Sequence, residues 1–179
     1  MYLPITASVS FGSLFVALLY ASAVSENESE PVPRSPAFVR VLLGYVCLFS
    51  CFLMAQSAIK FYAFSRIKME QKKKGSHQKS ISFRSVKYGD DGRKYHTLTA
   101  DRCVGNFMEQ GPLFLILFTL NSIFTDTQSA SVLGWMWLLT RSYYPFVFEY
   151  GAPVLFLSTM PGYFILVLLA KPLFAYALF

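Results

Sequence analysis

The residues best suited to chemistry cluster in the run Asp101-Arg102-Cys103-Val104-Gly105-Asn106-Phe107-Met108-Glu109-Gln110-Gly111-Pro112. Arg102, Asn106 and Glu109 are spaced i, i+4, i+7, so a helix places all three on one stripe. A guanidinium fork suits carboxylates, an amide both donates and accepts, and a carboxylate accepts only. Farther along, Arg141, Tyr143 and Tyr144 bring a second guanidinium and two phenols, and Arg66 supplies a third guanidinium. That set suits a small, multiply charged, peptide-like ligand. A tyrosine hydroxyl, Tyr144 first, could donate to an anion such as a thiolate. The plainer alternative is an Arg–Glu pair with an Asn bridge, binding neighbouring helices by hydrogen bonds. On either reading Glu109 is expected to pair with an arginine, Arg102 first, because an isolated carboxylate at low dielectric takes up a proton instead. No Ser/His/Asp set, phosphate-binding glycine loop or haem-type motif competes with this cluster.

The elements that must position these groups are membrane helices. The 179 residues are 54% hydrophobic, 17% aromatic and 15% charged, whereas soluble domains carry about 25% charged residues. A chain of this size cannot hide so much apolar surface in one aqueous core. At roughly 20 residues per crossing, five spans are expected, at about 3–24, 38–64, 101–124, 131–150 and 160–179. Residues 3–24 resemble a secretory signal, but no positive charge precedes them, and they read as a helix.

Two linkers carry the topology. Residues 25–36 hold three Glu against one Arg, with prolines that break helix. Residues 65–98 are polar and basic, and positions 66–96 hold ten of the sixteen Lys and Arg. The positive-inside rule puts that basic loop on the cytoplasmic or equivalent side and the acidic loop opposite. Arg66, Arg102, Arg141, Tyr143 and Tyr144 then converge on one membrane face. The net charge of +6 resides mostly in this loop, so no nucleic-acid partner is implied. The loop's cations either recognise anionic lipid or simply set topology. Cys47, Cys51 and Cys103 lack the spacing of a disulfide framework or metal cluster and read as small packing residues. His77 and His96 read as surface histidines, and no metal site is expected.

Arg102-x3-Asn106-x2-Glu109-x2-Pro112-Leu113-Phe114 resembles the signature of the membrane-associated proteins in eicosanoid and glutathione metabolism, the MAPEG family. Arg141-Ser142-Tyr143-Tyr144 resembles the Arg-x-x-Tyr late in that family's third helix, and Met160-Pro161-Gly162-Tyr163 looks like the entry to its last helix. The resemblance runs from about residue 40 to the end. It implies an all-α integral membrane protein with a MAPEG-like four-helix bundle over residues 37–179, assembling as a homotrimer. Residues 1–36 would add one extra N-terminal transmembrane helix and the acidic loop. It further implies glutathione between subunits, bound by Arg102, Asn106, Glu109 and Tyr144, with Arg66, Arg141 and Tyr143 beside them, in an endoplasmic reticulum or organellar membrane.

Four departures bear on activity, the first being Pro145, which interrupts the fourth expected helix near the site. Gln110 replaces the aromatic that often follows the motif glutamate, and Phe148 stands where a second tyrosine is common. No Lys or Arg occurs between Arg141 and Lys171, where family members that activate the thiolate carry an arginine. Two function classes therefore stand. One is a glutathione-dependent transferase or peroxidase acting on a lipophilic small molecule, with a degraded thiolate-activating site. The other is a non-catalytic lipid-binding module or accessory subunit of a larger membrane complex, in which the small residues of 3–24 would make a lateral contact.

Overall fold

The computed structural model describes residues 35–73, 96–150 and 152–178. The expected first span at 3–24, the acidic loop up to Arg34 and most of the basic loop, including His77, lie outside the described residues. The described chain is all helical: α1 Pro36–Lys73, α2 Thr97–Phe124, α3 Thr127–Ser142, α4 Tyr144–Tyr150 and α5 Ala152–Leu178. Three of these, α1, α2 and α5, are long and apolar enough to cross a membrane. Large apolar side chains such as Val46, Met54, Ile116, Phe164 and Val167 point outward, as expected where lipid rather than water surrounds the bundle.

Helix boundaries follow local chemistry. Pro36 opens α1, where a missing N–H costs nothing. Asp126 caps α3, its carboxylate accepting from the backbone N–H of Gln128 at 3.2 Å and of Ser129 at 2.8 Å. Those bonds, with one from the Ser129 hydroxyl, hold the Asp126 carboxyl below its usual range. Asp126→Ala should cost about 1 kcal/mol in a detergent melt. Because the folded value is depressed, this cap contributes above the unfolded carboxyl value and fades as pH falls through the folded one. A variant that melts like the parent at neutral pH would contradict it.

Two boundaries differ from the sequence expectation, and a third follows the interruption expected at Pro145. α1 continues to Lys73, so residues 65–73 are helix rather than loop. The expected fourth span is divided at Tyr143, whose φ of −94° and ψ of 0° close α3. Pro145 explains the division: it lacks an N–H, and its ring would meet the carbonyl of Arg141 in a continuous helix. Residues 152–159 belong to α5 rather than to a connection.

An aromatic stack fills the core. Phe114 and Trp137 lie parallel with ring centres 4.1 Å apart, and Phe107 meets Trp137 edge-on at 5.6 Å. Tyr45 from α1 packs on Phe107 at 4.9 Å and Phe114 at 6.0 Å. Gly134 lets α3 approach α1 closely, since a Cβ there would stand 2.7 Å from Cγ1 of Val41. At the far end, Asn121 Nδ2 donates to the carbonyl of Leu169 at 2.8 Å, tying α2 to α5.

Candidate functional site

The polar residues gather where α2 begins and α3 ends. Arg141, at the last turn of α3, is only 1% exposed. Its Nη1 donates to Oδ1 of Asn106 at 2.5 Å, its Nη2 to the carbonyl of Ser158 at 2.8 Å, and its Nε to the Thr140 hydroxyl at 3.3 Å. The guanidinium also lies over the Trp137 ring, 5.6 Å from its centre. Ser158 completes the node by donating its hydroxyl to the carbonyl of Thr140 at 2.5 Å. A buried cation is thus held by an amide, a carbonyl and a hydroxyl rather than by a carboxylate. Gly162 makes the arrangement possible, because a Cβ there would fall directly on the Arg141 guanidinium. One arginine joins α2, α3 and α5.

On the outer flank of α2 the motif looks different. Arg102 and Glu109 are exposed, with half-buried Asn106 between them. The expected Arg102–Glu109 pair is not formed: among the described residues Glu109 has no ion-pair partner. The arginine that Asn106 meets is Arg141, thirty-five residues away. Both outward groups can stay solvated at the mouth of the bundle, so neither requires a partner within the chain. The same stripe continues through Leu113, Ile116 and Leu120, all exposed. It is polar at one end and apolar along the rest.

The phenols have separate roles. Tyr143 donates its hydroxyl to the carbonyl of Leu157 at 2.7 Å, bracing the turn between α3 and α5. Tyr144 is 5% exposed and stacks on Phe148, ring centres 5.9 Å apart. Arg66 stands exposed on α1 over the ring of Tyr62, 6.0 Å from its centre, and does not join the Arg141 node. Cys103 is buried.

Two contacts escaped the sequence reading. Lys60 Nζ lies 2.5 Å from Oδ1 of Asp101, which also accepts from Gln56 at 2.6 Å, clasping α1 to α2. The signal was present: a cation within the apolar part of a long helix requires a partner. His96, expected as a plain surface histidine, adopts a left-handed φ of 58° and pairs Nδ1 with Glu149 Oε1 at 2.9 Å. Both partners are largely exposed, so this tie is worth under about 1 kcal/mol.

Gln110 is the misfit. It is 3% exposed, and neither amide atom has a partner among the described residues. An unsatisfied buried polar group costs about 1–3 kcal/mol, so Gln110→Leu should raise stability by about 1–2 kcal/mol. A lowered Tm would instead show that the amide is satisfied by a buried water or ligand.

The MAPEG family model matches residues 36–175, all five described helices and the motif on α2 included. The chain belongs to the MAPEG family. No curated protein and no solved structure matches it. As a MAPEG chain it is an all-helical integral membrane protein of the glutathione and eicosanoid family, with helices in contact with lipid. The family motif keeps to one stripe of α2 but divides in its contacts. Asn106 reaches into the bundle through Arg141, while Arg102 and Glu109 face outward.

Proposed function

We propose that this MAPEG chain binds glutathione on the outward stripe of α2 and is completed there by a neighbouring subunit of a homotrimer. The observation that carries the reading is the placement of exposed Arg102 and Glu109, unpaired among the described residues, on either side of an Asn106 whose orientation Arg141 fixes. Arg102 suits a carboxylate of the tripeptide as a bidentate partner. Glu109 suits its ammonium, and the Asn106 amide N–H groups suit an oxygen between them. Arg66 approaches from the neighbouring subunit. Arg141, Tyr143 and the buried Tyr144 belong to the supporting layer. The exposed Leu113, Ile116 and Leu120 give a lipophilic electrophile or hydroperoxide a route from the bilayer. In this reading the basic end faces the cytoplasm from an endoplasmic reticulum or organellar membrane.

A second reading has its own observation. Tyr144 is buried, and no cation follows Arg141 until Lys171, which favours a non-catalytic lipid-binding or accessory subunit. Calorimetric titration of the reconstituted protein with glutathione separates the two. Arg102→Leu and Glu109→Gln are each expected to weaken binding by about tenfold or more, the scale of one charge-assisted hydrogen bond. Lys171→Gln should leave it unchanged. Absence of glutathione binding by the unmodified protein would leave the second reading.

A further inference from the structure

The continuation of α1 to Lys73 gives the residues after Lys60 a shape that a loop would not have. Lys60 meets Asp101 at the start of the membrane portion of α2. At 1.5 Å per residue, the 38-residue helix is about 57 Å long, against a hydrocarbon core of about 30 Å. Residues 61–73 therefore continue past the level of Lys60 for about 20 Å, through the headgroup layer and beyond it.

At 100° per residue, Phe61, Tyr62, Ser65, Arg66, Lys68, Met69, Lys72 and Lys73 fall on one arc of somewhat less than half the circumference. Every one of them is exposed. Ala63 and Ile67 lie on the opposite, buried side, and Glu70 lies off the arc. Four cations thus share an open face with two aromatic rings and a methionine, without an acid among them. Arg66 over the Tyr62 ring shows how closely the two kinds alternate.

We propose that this arc is a binding surface for anionic phospholipid headgroups of the protein's own bilayer. Aromatic side chains settle at headgroup depth, and adjacent lysines and arginines attract anionic lipid within a Debye length of the surface. A water-exposed face of a soluble partner would not need Phe61 and Tyr62 at the foot of the arc, where the bilayer begins. Of these cations Arg66 alone is also assigned to glutathione, and Lys68, Lys72 and Lys73 carry the inference without it.

The test uses the full-length protein in phosphatidylcholine vesicles with spin-labelled lipid as probe. The spectrum reports the fraction of lipid immobilised on the protein. The unmodified protein is expected to prefer labelled phosphatidylserine over labelled phosphatidylcholine several-fold, with the preference falling in 0.5 M salt, as surface electrostatics require at a Debye length of about 4 Å. Combined Arg66→Gln, Lys68→Gln, Lys72→Gln and Lys73→Gln should abolish it, while Lys68→Arg, Lys72→Arg and Lys73→Arg together should retain it. A variant neutralising Lys79, Arg84, Lys87, Arg93 and Lys94 should retain at least half. Equal helical content by circular dichroism checks that all variants fold. No preference in the unmodified protein, survival of the preference in the glutamine variant, or an equal loss in the second neutralised variant would overturn the proposal.

Discussion

Arg141→Met is expected to destabilise the bundle by about 1–3 kcal/mol, the cost of leaving buried polar partners unsatisfied. Methionine fills much of the space, so the loss is mainly one of hydrogen bonding. It strands Oδ1 of Asn106 and removes one donor from the carbonyl of Ser158, both inside the bundle. Arg141→Lys should recover only part, because a single ammonium cannot span an amide on α2 and a carbonyl on α5 in the same fixed geometry. Gly162→Ala attacks the same node from the other side. Its added methyl group displaces the guanidinium, and the loss should approach that of Arg141→Met. The two changes should also be non-additive, since they break one network. Thermal melts in detergent provide the measurement. Independent, additive losses would show that Gly162 serves something other than Arg141.

If glutathione binds at the proposed site, it is expected to remain mostly the thiol at neutral pH, leaving conjugation about thirtyfold slower than with an activated thiolate. A free thiol with a pKa of about 8.5 is only a few per cent ionised at pH 7. Bringing that value to about 6 requires roughly 3.4 kcal/mol at about 1.36 kcal/mol per unit. One cationic hydrogen bond supplies about 1.5–3 kcal/mol. Arg141 already directs its guanidinium to Asn106, Ser158 and Thr140, and Arg102 is assigned to a carboxylate of the ligand. Tyr144 can add one neutral hydrogen bond, worth less. Ultraviolet difference titration of the glutathione complex should therefore show thiolate absorbance rising well above pH 7. A bound-thiol pKa near 6, or brisk conjugation lost in Tyr144→Phe, would establish an efficient transferase.

Much of this protein is legible from local chemistry. Hydropathy and length identify membrane helices because a bilayer leaves the backbone no alternative to internal hydrogen bonds. The spacing of Arg102, Asn106 and Glu109 sets their relative angles on one helix, and the Arg-x-x-Tyr sequence places the second polar group at the same end. Pro145 marks the break after α3, although a span counted by hydropathy runs through it. Where α1 stops is less legible, since Arg66, Lys68 and Lys72 are good helix formers as well as loop residues. What one helix's spacing cannot decide is which partner arrives from another helix. Arg102 and Glu109 share a stripe and look paired, yet Asn106 receives Arg141 and the other two face outward. That outcome depends on how α2, α3 and α5 cross, and on Gly162 lacking a side chain exactly where the guanidinium must lie. Lys60 likewise requires a partner by its chemistry, but only the packing of α1 against α2 makes that partner Asp101. Sequence determines the helices and the faces on which the polar groups lie; tertiary structure determines their partners, because a hydrogen bond is a matter of a few ångströms between elements whose separation no local pattern encodes.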